Sequence, residues 1–272
     1  MTIDVSKLTF PQVSPEGIQA LDIINQPEPD VGQLQSILLK DPVLAGIIIK
    51  QANSPLYRRA NEISNVPAAI RVLGFKSLRS AVVMATLQGS SALTPTTQAI
   101  WEHSTATALA ARTLAEKIHP EVAEDMEFIG LIHDVGMLVL ANNFPDEYQD
   151  LLLRSNTEQS PIDQLEINLF GTHHGAIIRH IQDQFRLPTA TVEILAKFHT
   201  DTSANHIQDN NLRLLYILEL SHFMLGMIDQ QHLAPFIETI AEPMTQLQTS
   251  LGIDNQLLEQ LKAKIEERLA DQ

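Results

Sequence analysis

The sequence predicts an all-α protein with two helical lobes. Along most of the 272 residues, apolar side chains recur at helical spacing and do not alternate as they would in a strand. Capping residues precede several of these segments, such as Ser14 before Pro15 and Asp41 before Pro42. The chain has no Asn-Gly or Asp-Gly hairpin turn, so we expect no strand pair.

Prolines and one glycine divide the N-terminal half into short helices. The expected boundaries are Ser14-Pro15 and Pro27 for the first helix, Asp30 with Gln33 for the start of the second, Asp41-Pro42 and Asn53-Ser54-Pro55 for the third, Ser64 and Gly74 for the fourth, and Ser77 and Gln88 for the fifth. Asn53 is expected to end its helix in the left-handed conformation and to hydrogen-bond loop backbone groups. A role in partner binding is the alternative for this residue.

A polar stretch from Gly89 to Thr97 is the best internal boundary, and it predicts lobes over residues 1–90 and 98–272. Long helices are expected from Gln98 to Ile118 and from Ala123 to Leu140. Later helical segments should begin near Pro145, Pro161, His173, Pro188, Asn211, Pro235 and Asn255. The chain should therefore contain 12 or more helices.

Composition excludes several kinds of protein. The chain has no cysteine, which excludes thiol catalysis, disulfides and thiolate metal sites. No apolar run approaches the about 20 residues that span a membrane. The N-terminus lacks the basic and apolar pattern of a secretory signal, so we expect a cytoplasmic protein.

The charge distribution is uneven. The formal net charge of −15 argues against nucleic-acid binding, yet the window 40–79 has seven basic and two acidic residues. Two interpretations stay open for this window: ordinary solvated helix faces, or a positive docking surface for an acidic partner or an anionic ligand. The residues of the second interpretation are Arg58, Arg59, Arg71, Lys76 and Arg79.

The dipeptide His133-Asp134 is the strongest sign of chemistry in the sequence. It lies within an apolar helical segment, where an ionised carboxylate needs a partner or a cation. His103, His173-His174 and His199 lie on or beside other helices that could converge on the same point. Imidazole and carboxylate ligands without thiolates suit Fe, Mn, Ni or Zn. A hydrogen-bonded polar cluster without metal is the alternative.

Several motifs give the chain a resemblance to a known family. They are Asp41-Pro42-Val43-Leu44, Ala52-Asn53-Ser54-Pro55-Leu56-Tyr57, Ile63-Ser64, Ala69-Ile70-Arg71-Val72-Leu73-Gly74, Trp101-Glu102-His103-Ser104, Gly130 to Gly136, Glu166 with Gly171 and His174, and Phe185-Arg186-Leu187-Pro188 followed by His199. Over residues 8–230 the chain resembles the HDOD domain, the HD-related output domain of bacterial signalling proteins. This family is related to the HD and HD-GYP metal-dependent phosphohydrolases.

The resemblance implies an all-α HD-domain-like fold and a set of metal ligands. His103, His133 and Asp134 match the positions that hold the first divalent metal in the HD superfamily. His174 and His199 match histidines that the two-metal HD-GYP type uses for its second ion. No organic cofactor is implied.

The sequence also departs from the active members of that superfamily. Active HD-GYP relatives have a lysine three residues after the His-Asp aspartate, and this position is Met137 here. The stretch Glu219 to Met224, comparable to the helix with the distal aspartate, contains no aspartate, and no Gly-Tyr-Pro motif is present. Either His222 or Glu219 could substitute for that ligand. The sequence leaves open which of the two aligns with the position of the distal aspartate.

Two functions follow from this pattern. The first is a non-catalytic signal-transduction module that acts through protein or ligand contacts, with a signalling protein as its partner. The second is a metal-dependent phosphohydrolase that acts on a nucleotide or phosphodiester. Five metal-type residues favour the second function, and the missing lysine and distal aspartate favour the first.

Overall fold

The computed structural model describes residues 2–54, 56–57, 62–90, 94–198, 210–229, 232–237 and 243–271. The all-α prediction is confirmed, because these residues form fourteen α-helices, two short 3₁₀ turns and no strand. The helices are α1 (Pro15–Ile24), α2 (Val31–Leu38), α3 (Pro42–Ala52), α4 (Val66–Ser90), α5 (Pro95–Ile118), α6 (Ala123–Ile132), α7 (Val135–Asn143), α8 (Pro145–Glu158), α9 (Ile162–Phe170), α10 (His174–Ile181), α11 (Thr189–Lys197), α12 (Asn210–Ile228), α13 (Met244–Leu251) and α14 (Asn255–Ala270).

The predicted capping residues are found at the starts of α1, α2 and α3. The Ser14 hydroxyl accepts a hydrogen bond from the backbone N–H of Gly17, and the Asp30 carboxylate accepts one from Gln33. Asp41 accepts from the first turn of α3 in the same way. The break at Gly74 is also confirmed, because this residue has a φ of 69° and bends α4.

Asn53 has the predicted contacts but not the predicted conformation. Its backbone lies in the right-handed region, with φ −98° and ψ 0°. Its amide nitrogen donates to the carbonyls of Ile49 and Ile63 at 2.9 and 2.7 Å, and its amide oxygen accepts from the N–H of Ile63 at 2.8 Å. The side chain therefore connects the end of α3 to Ile63, while the Asn53 backbone itself stays right-handed.

Two predictions on the C-terminal part are wrong. The expected helix from Ala123 to Leu140 is divided into α6 and α7 at His133-Asp134. The described residues near Pro235 are not helical, because their backbone groups bond to other elements. In this 232–237 segment the Ile237 N–H donates to Ser155 Oγ of α8 at 2.9 Å, and the Pro235 carbonyl accepts from the Asn156 amide.

Helix α5 is the centre of the C-terminal part. It contacts α6, α7, α8, α12 and α14. Its alanines make this possible, since Ala106, Ala110 and Ala111 are all buried and leave room for neighbouring helices. Helix α4 contacts α1, α2, α3 and α6. The division at residues 90 and 98 stays a prediction.

A buried polar cluster links Tyr57, which follows α3, to α5 and α6. The Tyr57 hydroxyl lies 2.5 Å from Glu127 Oε2 and 2.6 Å from Ser77 Oγ. Arg112 of α5 donates to both Tyr57 and Glu127, and its guanidinium lies over the Tyr57 ring. Burial raises the pKa of Tyr57, so the phenol stays neutral and can donate a hydrogen bond.

Among the described residues, no single helix is long and apolar enough to cross a membrane. Taken together, α2 and α3 have the length and apolar composition of a membrane span, but the chain bends by 116° between the two helices.

Candidate metal centre

His133 and Asp134 lie at the junction between α6 and α7. The His133 ring nitrogen Nδ1 lies 2.7 Å from the carbonyl oxygen of Gly130, three residues earlier. Asp134 has φ −101° and ψ 17°, which is outside the helical region, and its carbonyl accepts from the N–H of Met137. The junction turns both side chains into the core, where each is at most 2% exposed.

Three other elements bring histidines to this junction. His103 comes from α5, His174 is the first residue of α10, and His222 comes from α12. All three side chains are buried. The structure thus brings together four of the five predicted ligands: His103, His133, Asp134 and His174. The fifth, His199, lies outside the described residues.

Backbone carbonyl groups orient three of the imidazole rings. The Nδ1 to oxygen distances are 2.6 Å from His103 to Leu233, 2.7 Å from His133 to Gly130 and 2.9 Å from His222 to Leu218. A carbonyl oxygen accepts hydrogen bonds and cannot donate, so each Nδ1 carries the proton. In the neutral rings the lone pair therefore lies on Nε2, as in histidines that bind metals through Nε2.

The three Nε2 atoms point at one another. His222 Nε2 lies 3.0 Å from His133 Nε2 and 3.2 Å from His103 Nε2, and all three lie within 4.8 Å of one another. Zinc–nitrogen bonds of about 2.0–2.1 Å at tetrahedral angles place ligand nitrogens about 3.3 Å apart. Facing lone pairs repel unless a cation lies between them, so the donor set fits a divalent metal ion.

Asp134 adds a carboxylate to this cluster. Its Oδ2 lies 3.0 Å from His133 Nε2 and 3.6 Å from His103 Nε2. Its other oxygen, Oδ1, lies 3.5 Å from His174 Nε2. Asp134 therefore stands between the three-histidine cluster and His174, with one oxygen directed to each.

Two glycines allow the backbones to approach closely enough for these contacts. A Cβ atom on Gly130 would lie 2.8 Å from the backbone of Ala108, so α6 could not pack as closely on α5. A Cβ atom on Gly136 would overlap the carbonyl group of His174. These glycines set the separations between His133 and the histidines of α5 and α10.

Two phenylalanine rings pack against the cluster. Phe236 packs edge-on against His103 with ring centres 4.9 Å apart, and Phe198 packs against His133 at 5.8 Å and His222 at 4.9 Å. An apolar shell excludes water and strengthens the electrostatic interactions inside it. Burial and the neighbouring His174 lower the pKa of His173, the residue before α10.

His222 is the ligand-type residue that the sequence left unresolved. The sequence does not fix the rotation of the apolar helix α12, so it does not predict which neighbours the His222 ring faces. Glu219 and His222 are three residues apart, so both lie on one face of a helix. In the structure the His222 ring lies in the cluster. Glu219 is also fully buried.

Two of the five residues of the predicted basic surface pair with an acidic residue, and the docking role of the surface stays a prediction. Lys76 and Arg79 both pair with Asp125 of α6, at 2.8 and 3.2 Å. The Arg79 side chain is only 12% exposed, and its guanidinium lies over the Phe128 ring. Arg71 is exposed. Arg58 and Arg59 lie outside the described residues.

The fold and the site together define an all-helical protein with a buried cluster of histidines around an aspartate. Residues 9–201 match the family model of the HDOD domain, and the chain therefore belongs to the HDOD family. No curated protein matches the chain.

Solved structures share the fold at low sequence identity. An HDOD domain protein of unknown function from Geobacter sulfurreducens is 22% identical with a TM-score of 0.75, over 97% of this chain and 93% of that one. A protein from Shewanella amazonensis SB2B, provisionally named a phosphohydrolase, is 19% identical with a TM-score of 0.68, over 97% and 96%. A protein from Marinobacter aquaeolei VT8, provisionally named a signal transduction protein, is 20% identical with a TM-score of 0.74, over 96% and 58%.

Proposed function

We propose that the chain is a non-catalytic HDOD signal-transduction module whose core holds a divalent metal ion. The observation that carries this proposal is the convergence of three Nε2 atoms whose rings are all oriented by backbone carbonyls. The ligands are His103, His133, Asp134 and His222, and His174 is the further ligand, whose Nε2 faces the second oxygen of Asp134. The signal leaves the module through contact with a signalling protein.

The ion has a structural role in this proposal. Nitrogen and oxygen ligands suit Fe, Mn, Ni or Zn. When bound, the ion supplies positive charge that offsets the burial of Asp134 and joins α5, the α6–α7 junction and α12. The ligands come from parts of the chain up to 119 residues apart, so the ion fixes the relative positions of these helices.

The burial of the ligands supports a non-catalytic centre. A catalytic metal keeps one coordination position open to water or substrate. Here the ligand side chains are buried beneath Phe198 and Phe236, and His222, the most exposed of them, is 6% exposed. Met137 occupies the position of the lysine found in active relatives, and it is fully buried.

Metal analysis of the purified protein tests the centre. Wild type grown with added metals should contain close to one ion per chain, and His222→Ala should lose most of it. His180→Ala is the matched control, because this exposed histidine of α10 contacts Phe10 and should leave the metal content unchanged. A wild-type content near zero, with no change of melting temperature on metal addition, would leave a hydrogen-bonded polar cluster.

Phosphohydrolase activity is the second candidate function. It is favoured by the combination of Asp134 with several imidazoles, which is the ligand type of the HD superfamily. Purified protein should be tested with bis(p-nitrophenyl) phosphate and Mn²⁺. The non-catalytic proposal expects no turnover above buffer, whereas turnover that His133→Ala and Asp134→Ala both abolish would establish an enzyme.

A further inference from the structure

Glu166 is a buried carboxylate that neither the three-histidine cluster nor the proposed ligand set uses. It lies on α9 and is fully buried together with Tyr148 of α8. Its Oε2 lies 2.7 Å from His174 Nδ1 and accepts the backbone N–H of His174 at 2.8 Å. Its Oε1 accepts a hydrogen bond from the Tyr148 hydroxyl.

These contacts make Glu166 the cap of α10. His173 precedes this helix and makes no side-chain hydrogen bond to its first turn. The carboxylate of Glu166 takes that place from another helix, since it accepts the N–H of the first helical residue. A carboxylate at a helix N-terminus is favourably placed relative to the helix dipole, and this one has three hydrogen-bond partners.

The same contacts determine the direction of the His174 ring. The Oε2 atom acts as an acceptor, since it accepts the backbone N–H of His174, so it keeps the proton of the neutral ring on Nδ1. The opposite atom, Nε2, then faces Asp134 Oδ1 at 3.5 Å. The other three histidines are oriented by backbone carbonyls, whereas His174 is oriented by a side-chain carboxylate.

We propose that Glu166 is a positioning residue of the metal centre: supported by Tyr148, it holds His174 with Nε2 directed at Asp134 and makes this ring a stronger electron donor. The inference rests on the proposed metal centre. A carboxylate behind a ligand histidine raises the basicity of the ring, and loss of such a partner typically costs about 10–100-fold in metal affinity.

Titration of the metal-free protein with Co²⁺ tests this proposal, with binding followed by the visible absorption of the ion. Glu166→Gln keeps the shape of the side chain and removes its charge, so it should weaken Co²⁺ binding about 10–100-fold and change the absorption bands. Tyr148→Phe should have a smaller effect in the same direction. Asp163→Asn is the matched control: it neutralises another buried carboxylate of α9 and should bind Co²⁺ as wild type does.

A double-mutant cycle separates positioning from general structural damage. If Glu166 acts through His174, Glu166→Gln should have no further effect on Co²⁺ affinity in a His174→Ala background. Equal losses in both backgrounds, or wild-type affinity in Glu166→Gln, would overturn the inference. If Glu166→Gln does not fold, wild-type affinity and absorption in Tyr148→Phe would overturn it. Absence of Co²⁺ binding to wild type would instead overturn the proposed metal centre itself.

Discussion

Gly136 is the residue at which one added methyl group would do the most damage to the centre. Its Cβ would overlap the carbonyl of His174, so Gly136→Ala must push α7 and α10 apart. We expect this variant to melt at a lower temperature and to lose most of its bound metal. Gly46→Ala is the control, because its Cβ has nothing within 4 Å and alanine favours a helix by up to about 1 kcal/mol over glycine. Equal melting temperatures and metal contents in the two variants would contradict this account.

Most of the cluster residues, though not their arrangement, could be predicted from the sequence. His103, His133, Asp134 and His174 stand in motifs that the family resemblance identified. The position of His222 depends on the rotation of α12, and no local pattern fixes that rotation. The role of Glu166 depends on two helices that meet only in the tertiary structure. Such relations are set by packing and cannot be read from local periodicity.

Among the elements, α14 is held to α5 by a small ionic cluster. Glu116 of α5 accepts from Arg268 of α14 at 2.8 Å and from Arg112 at 3.2 Å, and Arg268 also donates to Thr113 at 2.7 Å. Burial alone would raise the pKa of Glu116, but the hydrogen bonds and charges of Arg268 and Arg112 lower it below its ordinary value. Ionised Glu116 therefore stabilises the contact between the two helices.

The lowered pKa of Glu116 predicts an acid-dependent loss of stability. The contribution is fully present above the ordinary glutamate pKa of about 4.3 and is lost as the pH falls through the lower value in the folded protein. Glu116→Gln should therefore melt below wild type at pH 7, and the difference should shrink as the pH falls below about 4. Glu266→Gln, on the more exposed pair with Lys262, is the control and should show little difference at either pH. A Glu116→Gln difference that is constant with pH would contradict the prediction.

The helix boundaries show where local sequence rules suffice. Caps and prolines gave the starts of α1, α2 and α3, because these residues act on the first turn that follows them. The break between α6 and α7 has no proline or glycine at the junction itself. It depends on His133 and Asp134 turning into a buried cluster, so the sequence predicted one continuous helix. The 232–237 segment was predicted wrongly for a similar reason, because α5 and α8 supply its hydrogen-bond partners.

For the whole molecule, the centre predicts that metal removal loosens some helices and not others. Metal that binds the folded state and not the unfolded state raises stability by mass action. Treatment with EDTA should lower the melting temperature and speed hydrogen exchange in α5, α12 and the 232–237 segment, which holds His103 through Leu233. Helices α1 and α2, which contribute no ligand, serve as the internal reference. Unchanged melting, or equal acceleration in all helices, would contradict a metal that joins these elements.

The distance along the chain between His103 and His222 has a consequence for synthesis. The two rings meet across 119 residues, so the centre cannot form until α12 has left the ribosome. At about 5–20 residues per second, this delay lasts roughly 6–24 s. During that interval α5 and α6 can pair through Ala108 and Gly130, but their histidines have no partner from α12. The nascent protein must therefore pass through a stage in which α5 and α6 have been synthesised while this buried polar cluster is still incomplete.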